Sequence, residues 1–320
     1  MTRLSDHAIL DSVSKEVVVL REIAEVIDLL DDPDVDGASV EAFLRSAGAM
    51  DVRTERVKGE RGHTDFVRVC IRSDGAGPTL GIIGRLGGVG ARPERLGLVS
   101  DADGAIVALA CAAKLARAAS RGDRLRGTVV VTTHVCPCSP IIPHEPVPFM
   151  GAPVDMETMN GHEVDPAADG ILSIDATKGN WVVNRRGFAI TPTVKEGWIL
   201  PVSPDFLAIA RNVSGEPPAV LPLATQDVTP YAAGFDHVNS ILQPATATSA
   251  PVVGVATTAA VPVPGCAPYA NDSTSLDQAA RFCVAVASEF TAGRCRFFDE
   301  EGFKRLVDRY GSMAHLQASP

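Results

Sequence analysis

The sequence predicts an α/β fold of three layers, with helices on both faces of a mostly parallel central sheet. Three observations lead there. From Ser100 onward, β-branched apolar runs alternate with segments of helical period: "GAIVALACAAKLARAA", "GTVVVTT", "GILSIDAT", "PDFLAIARNV", "PVVGVATT" and "SLDQAARFCVAVASEF". The strand-like runs are apolar at nearly every position, as strands covered on both faces must be. Aromatic residues make up only 5% of the chain while small residues abound, which suits close packing of helix on sheet.

The elements follow in order. "ILDSVSKEVVVLREIAEVIDLLDD" has the spacing of an amphipathic helix, with Asp11 and Ser12 available as starting caps. "DDPDVDG" breaks it, and "ASVEAFLRSAG" reads as a second helix stopped by Gly48. These helices, residues 1–50, are expected to pack on a main α/β domain of residues 51–295. That domain enters its sheet with "DFVRVCIR" and "PTLGIIGRL", separated by the turn "SDGAGP". Segments 136–168 and 178–204, punctuated by Pro and Gly, are too long for ordinary connections and are expected to be inserts that cover a cleft. Residues 296–320 read as a C-terminal tail.

Bulk properties narrow the function. A chain of 320 residues, 46% hydrophobic, can bury one large core. Its net charge of −10 argues against nucleic acid or an anionic membrane as partner. No run approaches the roughly 20 apolar residues that span a bilayer, and "MTRLSDHAILDSVSKE" is too charged for a signal peptide, so a cytoplasmic location is expected. Seven cysteines, an odd and dispersed set, do not form the framework of a secreted disulfide domain.

Parallel strands deliver their carboxyl ends to one edge, where open α/β proteins hold their ligands. Asp175 ends the run "ILSID" at that edge. "HVCPCSPIIPH" leaves the same edge and carries His134, Cys136, Cys138 and His144, all residue types that bind Zn²⁺, although Cys-x-Cys is not the usual knuckle spacing. A Cys–His nucleophilic pair, or a proline-stiffened loop with inert thiols, are the other readings of this segment. Asp101 and Asp103, in "LVSDADGAIVALA", stand where a loop turns into a helix, either capping it or facing a metal or substrate. "GFDHVN" places Asp236 and His237 at another helix start, and "YANDSTSLDQ" places Asn271, Asp272 and Ser273 before the last helix, with Ser273 as its cap.

Taken in order, "DVDGASVEAFLRSAGAMDVRTERV", "GPTLGIIGRLGGVG", "SDADGAIVALACAAKL", "VVVTTHVCPC", "ILSIDAT" and "PYANDSTSLDQAARF" resemble the zinc exopeptidase superfamily (MH clan), the aminopeptidase and deacylase type, in a bacterial branch whose metal ligands are altered. Where that family has His-x-Asp this chain has Arg85, Leu86 and Gly87; for paired glutamates it has His134, Val135 and Cys136; for the last His it has Asn271 and Asp272. Asp175 and one of Asp101 or Asp103 match as ligand types. The resemblance implies a peptidase-like enzyme or amidohydrolase that cleaves the amide of a small peptide or acylated amino acid. Two sites are compatible with it. One is a rebuilt centre for Zn²⁺ or another divalent metal, drawn from Asp101, Asp103, His134, Cys136, Cys138 and Asp175. The other is metal-free, with Arg85 clamping a carboxylate or oxyanion and His134, Cys136 or Asp272 among the catalytic groups. The alternatives are a non-catalytic relative that binds a peptide-like ligand through Arg85, and a thiol hydrolase using Cys136 or Cys138. A homo-oligomer is expected by analogy with assembled relatives.

Overall fold

The computed structural model describes residues 18–85, 89–90, 97–237 and 240–318. Asp11 and Ser12 lie outside them, as do Leu86 and Gly87. Helix α1 (Leu20–Leu30) buries Ile23, Val26 and Leu30 along one stripe, as its spacing requires. Helix α2 (Gly37–Ser46) starts at Asp36, whose side chain accepts the Ser39 N–H. It ends at Ala47, and Gly48 at φ +97 turns the chain, the stop its sequence predicts.

Strands β1 (Asp51–Gly59) and β2 (Gly62–Ile71) form an antiparallel hairpin. The centre of the sheet is parallel: β4 (Gly127–Val135), β3 (Gly77–Gly84), β7 (Gly170–Ala176) and β12 (Val252–Thr258) lie side by side in that order. The flanks are not parallel. β2 runs against β4, and β8 (Gly187–Ile190) runs against β12, with β11 (Ala219–Val220) beside β8. The expected insert 178–204 therefore supplies sheet edge, including β9 (Thr193–Lys195) and β10 (Trp198–Leu200), while 136–168 holds the short pair β5 (Ile141–Ile142) and β6 (Phe149–Met150) and a helix.

On one face of the sheet, α3 (Asp103–Ser120) and α6 (Ser273–Thr291) pack together, flanked by α1 and by α5 (Pro204–Ser214). Every residue of α3 from Asp103 to Ala113 is buried, and full burial of side chains such as Ile106 and Leu109 is worth roughly 1.5–3 kcal/mol each. On the other face lie α4 (Met156–Glu163) and a 3₁₀ segment, Ser240–Ala247. The close approach of α3 to β3 depends on two glycines. A Cβ at Gly104 would sit 2.0 Å from the Arg85 carbonyl oxygen, and one at Gly84 would sit 2.5 Å from that of Gly104. This contact sets the first turn of α3 against the strand tips.

Residues 296–318 of the expected C-terminal tail include a helix. It is α7 (Glu300–Tyr310), whose Tyr310 ring meets Trp198 at 6.3 Å and whose Phe303 meets Phe298 at 5.5 Å. Among the described residues no helix is long and apolar enough to cross a membrane.

Candidate functional site

Register places the site. Gly84, the last residue of β3, is level with Thr133 of β4 and Ile174 of β7, so the next residues, Arg85, His134 and Asp175, form a row across the strand tips. The Arg85 N–H donates to the Ile174 carbonyl at 2.7 Å and fixes this end of the row.

Two ionic clusters flank the row. In the first, Glu163 at the end of α4 lies between Arg85 and His134: its Oε2 pairs with Arg85 Nη1, and its Oε1 is 2.7 Å from His134 Nδ1. All three side chains are sealed from solvent. Burial pushes the Glu163 carboxyl up, but Arg85 and His134 outweigh it and hold it below the usual range. In the second cluster, Asp103 Oδ2 accepts Thr257 Oγ1 at 2.6 Å and pairs with Lys178 Nζ at 2.5 Å, while Oδ1 accepts Asn271 Nδ2 at 2.7 Å. Neither aspartate caps α3; its N-cap is Ala102, and Asp103 is spent on Lys178.

Above the clusters opens a cleft of about 1820 Å³ whose floor includes Asp101, Asp175, Lys178, Tyr231 and Ser240. The inserts wall it: Ile142 and His144 from the first, Trp181 from the second. Asp175 accepts the Ser240 hydroxyl at 2.6 Å and the Ala176 N–H at 2.8 Å. Burial raises its carboxyl to about 6 against those two hydrogen bonds and the attraction of Arg85, with Glu163 adding to the rise. Asp101 accepts the Met150 N–H at 3.0 Å. Burial raises it to about 7, opposed by that hydrogen bond and by Lys178, and reinforced by Asp175 and Asp103. The Tyr231 phenol, hydrogen-bonded to Ser240, is pushed up by burial and by Asp175. Two carboxyls that ionise near neutrality beside a fixed ammonium can exchange protons with a bound molecule.

The remaining sequence candidates lie elsewhere. Cys136 is buried with its Sγ 3.5 Å from the His63 carbonyl, and burial raises its thiol, opposite to what a nucleophile needs. Cys138 is exposed, and neither cysteine lines the cleft. Asp272, not Ser273, caps α6: it accepts the Ser275 N–H at 2.9 Å and pairs with Arg186, which holds it well below the usual carboxylate range. Asp236 and His237 line the cleft ahead of the 3₁₀ segment that is described from Ser240. The sequence reading missed Glu163 and Lys178. Lys178 was open to the rule that singled out Asp175, an ionisable group just past a strand's carboxyl end; Glu163 gave no sign, because only the fold of the insert brings it under the sheet.

A divalent metal centre of the kind the resemblance implies does not fit these residues. Both oxygens of Asp103 are engaged, one by a cation, and both oxygens of Glu163 are taken, one by Arg85 and one by His134 Nδ1, which leaves only the buried His134 Nε2 of these groups open. The Arg85 guanidinium and the Lys178 amine stand beside the carboxylates a dication would need, and the permanent charge of the guanidinium repels one. Among the described residues, no three His, Cys, Asp or Glu side chains are grouped to hold a metal ion.

The fold is that of the zinc-exopeptidase-like α/β proteins, with a large central sheet covered on both faces. The chain belongs to the family described as protein of unknown function (DUF1177), whose profile matches residues 55–320. No curated protein matches it. Among solved structures it is similar to the bottromycin maturation enzyme BotP in complex with Mn, at 14% identity and a TM-score of 0.55, over 87% of this chain and 72% of that one. It is also similar to the LapA aminopeptidase of Legionella pneumophila, at 9% identity and a TM-score of 0.50, over 89% of this chain and 73% of that one.

Proposed function

We propose that the protein is a hydrolase of amide bonds in small peptide-like molecules or acylated amino acids, working by carboxyl acid–base chemistry. The observation that carries the reading is the juxtaposition, on the floor of one large cleft at the strand tips, of Asp101, Asp175 and Lys178. Asp175, the lower of the two carboxyls, is the base that takes a proton from water as the water oxygen bonds to the amide carbon. Asp101, protonated over more of the neutral range, donates to the carbonyl oxygen. As the C–N bond breaks, the proton held by Asp175 passes to the leaving nitrogen, and the hydroxyl proton of the collapsing adduct returns to Asp101. Folds related at this level include an aminopeptidase, which agrees with the reading by analogy alone. The divalent metal implied by the resemblance, such as the Mn held by BotP, has no step in this scheme.

The test is amine release from a panel of dipeptides and N-acyl amino acids. Turnover by the wild type that falls at least ~100-fold in Asp175→Asn is expected, because general-base catalysis contributes about that much. Turnover unchanged in that variant contradicts the assignment. A second reading, ligand binding without turnover, is favoured by the full burial of Arg85, His134 and Glu163, which takes three of the ionisable groups at the strand tips out of contact with solvent. A ligand that raises the melting temperature of the wild type with no amine released decides for binding.

A further inference from the structure

We infer that Lys178 is the resident cation of this cleft, a built-in side chain that supplies the positive charge a divalent metal ion would otherwise supply and holds the oxygen of a bound carbonyl or carboxylate. The inference goes beyond the hydrolytic reading and does not depend on it, since a binding protein would use the same charge.

Placement comes first. Lys178 stands just past the tip of β7, three residues after Asp175, and is only 4% exposed while still lining the cleft. Burying an ammonium is unfavourable unless it is paired and hydrogen-bonded. Two of its three N–H donors meet that condition, one on Asp103 Oδ2 at 2.5 Å and one on the Ala270 carbonyl at 2.9 Å. The third has no partner among the described residues. Asp103 is itself locked by Thr257 and Asn271, so the ammonium is anchored rather than loosely tethered.

Two of the carboxylates are then neutralised without an ion. Lys178 offsets Asp103 and Arg85 offsets Glu163, while burial biases Asp101 and Asp175 toward their neutral forms. A dication would meet an ammonium already in contact with its best carboxylate. Removing that ammonium leaves Asp103 without its cation, held by Thr257 and Asn271 alone, and the negative field of Asp103, Asp101 and Asp175 then favours a dication.

The prediction is therefore a gain of metal binding on loss of a lysine. The full chain is equilibrated with Mn²⁺ or Zn²⁺, and bound metal is measured by elemental analysis after dialysis, with the shift of the thermal midpoint as a second readout. The wild type and Lys178→Arg are expected to hold no metal that depends on Asp175. Lys178→Ala and Lys178→Met are expected to bind Mn²⁺ at least about 10-fold more tightly than the wild type, and Asp103→Asn combined with Lys178→Met is expected to lose that gain. If neither lysine variant folds alone, refolding in millimolar Mn²⁺ should restore native far-UV circular dichroism. The inference is overturned if the wild type retains an equivalent of metal that Asp175→Asn releases, if folded Lys178 variants bind metal no better than the wild type, or if Mn²⁺ fails to rescue variants that do not fold.

Discussion

Glu163 is a carboxylate shared by a guanidinium and an imidazole with all three groups sealed from water, so it has no solvent to fall back on when a partner is lost. Glu163→Gln leaves Arg85 a buried, unneutralised charge, and the expected cost is ~3–5 kcal/mol in denaturant unfolding. A cost under 1 kcal/mol would mean that the three groups are not held together as described. At this scale the sequence was legible only where a residue's position along a strand fixed its direction. Asp175 stands out at the strand tip because it ends an apolar run; Glu163 does not, because nothing in "MNGHEV" says that the insert folds back onto the sheet. Arg85 was legible as an ion at the edge, yet its exposure was not: what looked like a hand for a substrate carboxylate is a buried partner of Glu163.

At the scale of elements, hydrophobic order was enough to place the central strands and the helices that cover them, because burial on both faces leaves a continuous apolar run in the sequence. The antiparallel flanks were not legible. Direction of pairing follows from the length and path of a connection, and the path of 178–204 is decided by tertiary packing. The contact of α3 with the end of β3 gives an element-scale prediction. Gly104→Ala drives a methyl group into the Arg85 carbonyl, 2.0 Å from the Cβ position, and the backbone there cannot yield without moving the strand tip. Destabilisation of at least ~1–3 kcal/mol is expected in thermal or denaturant unfolding. The same substitution at Gly122, where nothing lies within 4 Å, meets no clash and costs only the strain of its positive φ.

For the whole molecule, the titrating groups set opposite limits on stability with pH. The folded values of Asp101 and Asp175, about 7 and about 6, lie above the unfolded value of 3.8, so the stability they contribute is full below that value and is lost as pH rises through 6 to 7. Glu163 is lowered by Arg85 and His134, and Asp65 of β2 by Arg56 of β1, which pairs with it at 2.6 Å, so what they contribute is present above their unfolded values and is lost as pH falls through the folded ones. Asp101→Asn removes an ionisation that burial opposes. Its stability relative to the wild type is expected to rise between pH 5 and pH 8, by an amount on the order of 1 kcal/mol or more; a difference that is flat with pH in unfolding curves speaks against burial of this carboxyl.

The most direct test of the account is amide hydrolysis by the purified full chain in the presence of a chelator, run in parallel on Asp175→Asn. Turnover that survives the chelator and disappears in the variant is the predicted result. Turnover abolished by the chelator and restored by Mn²⁺ or Zn²⁺, or turnover undiminished in Asp175→Asn, would contradict it.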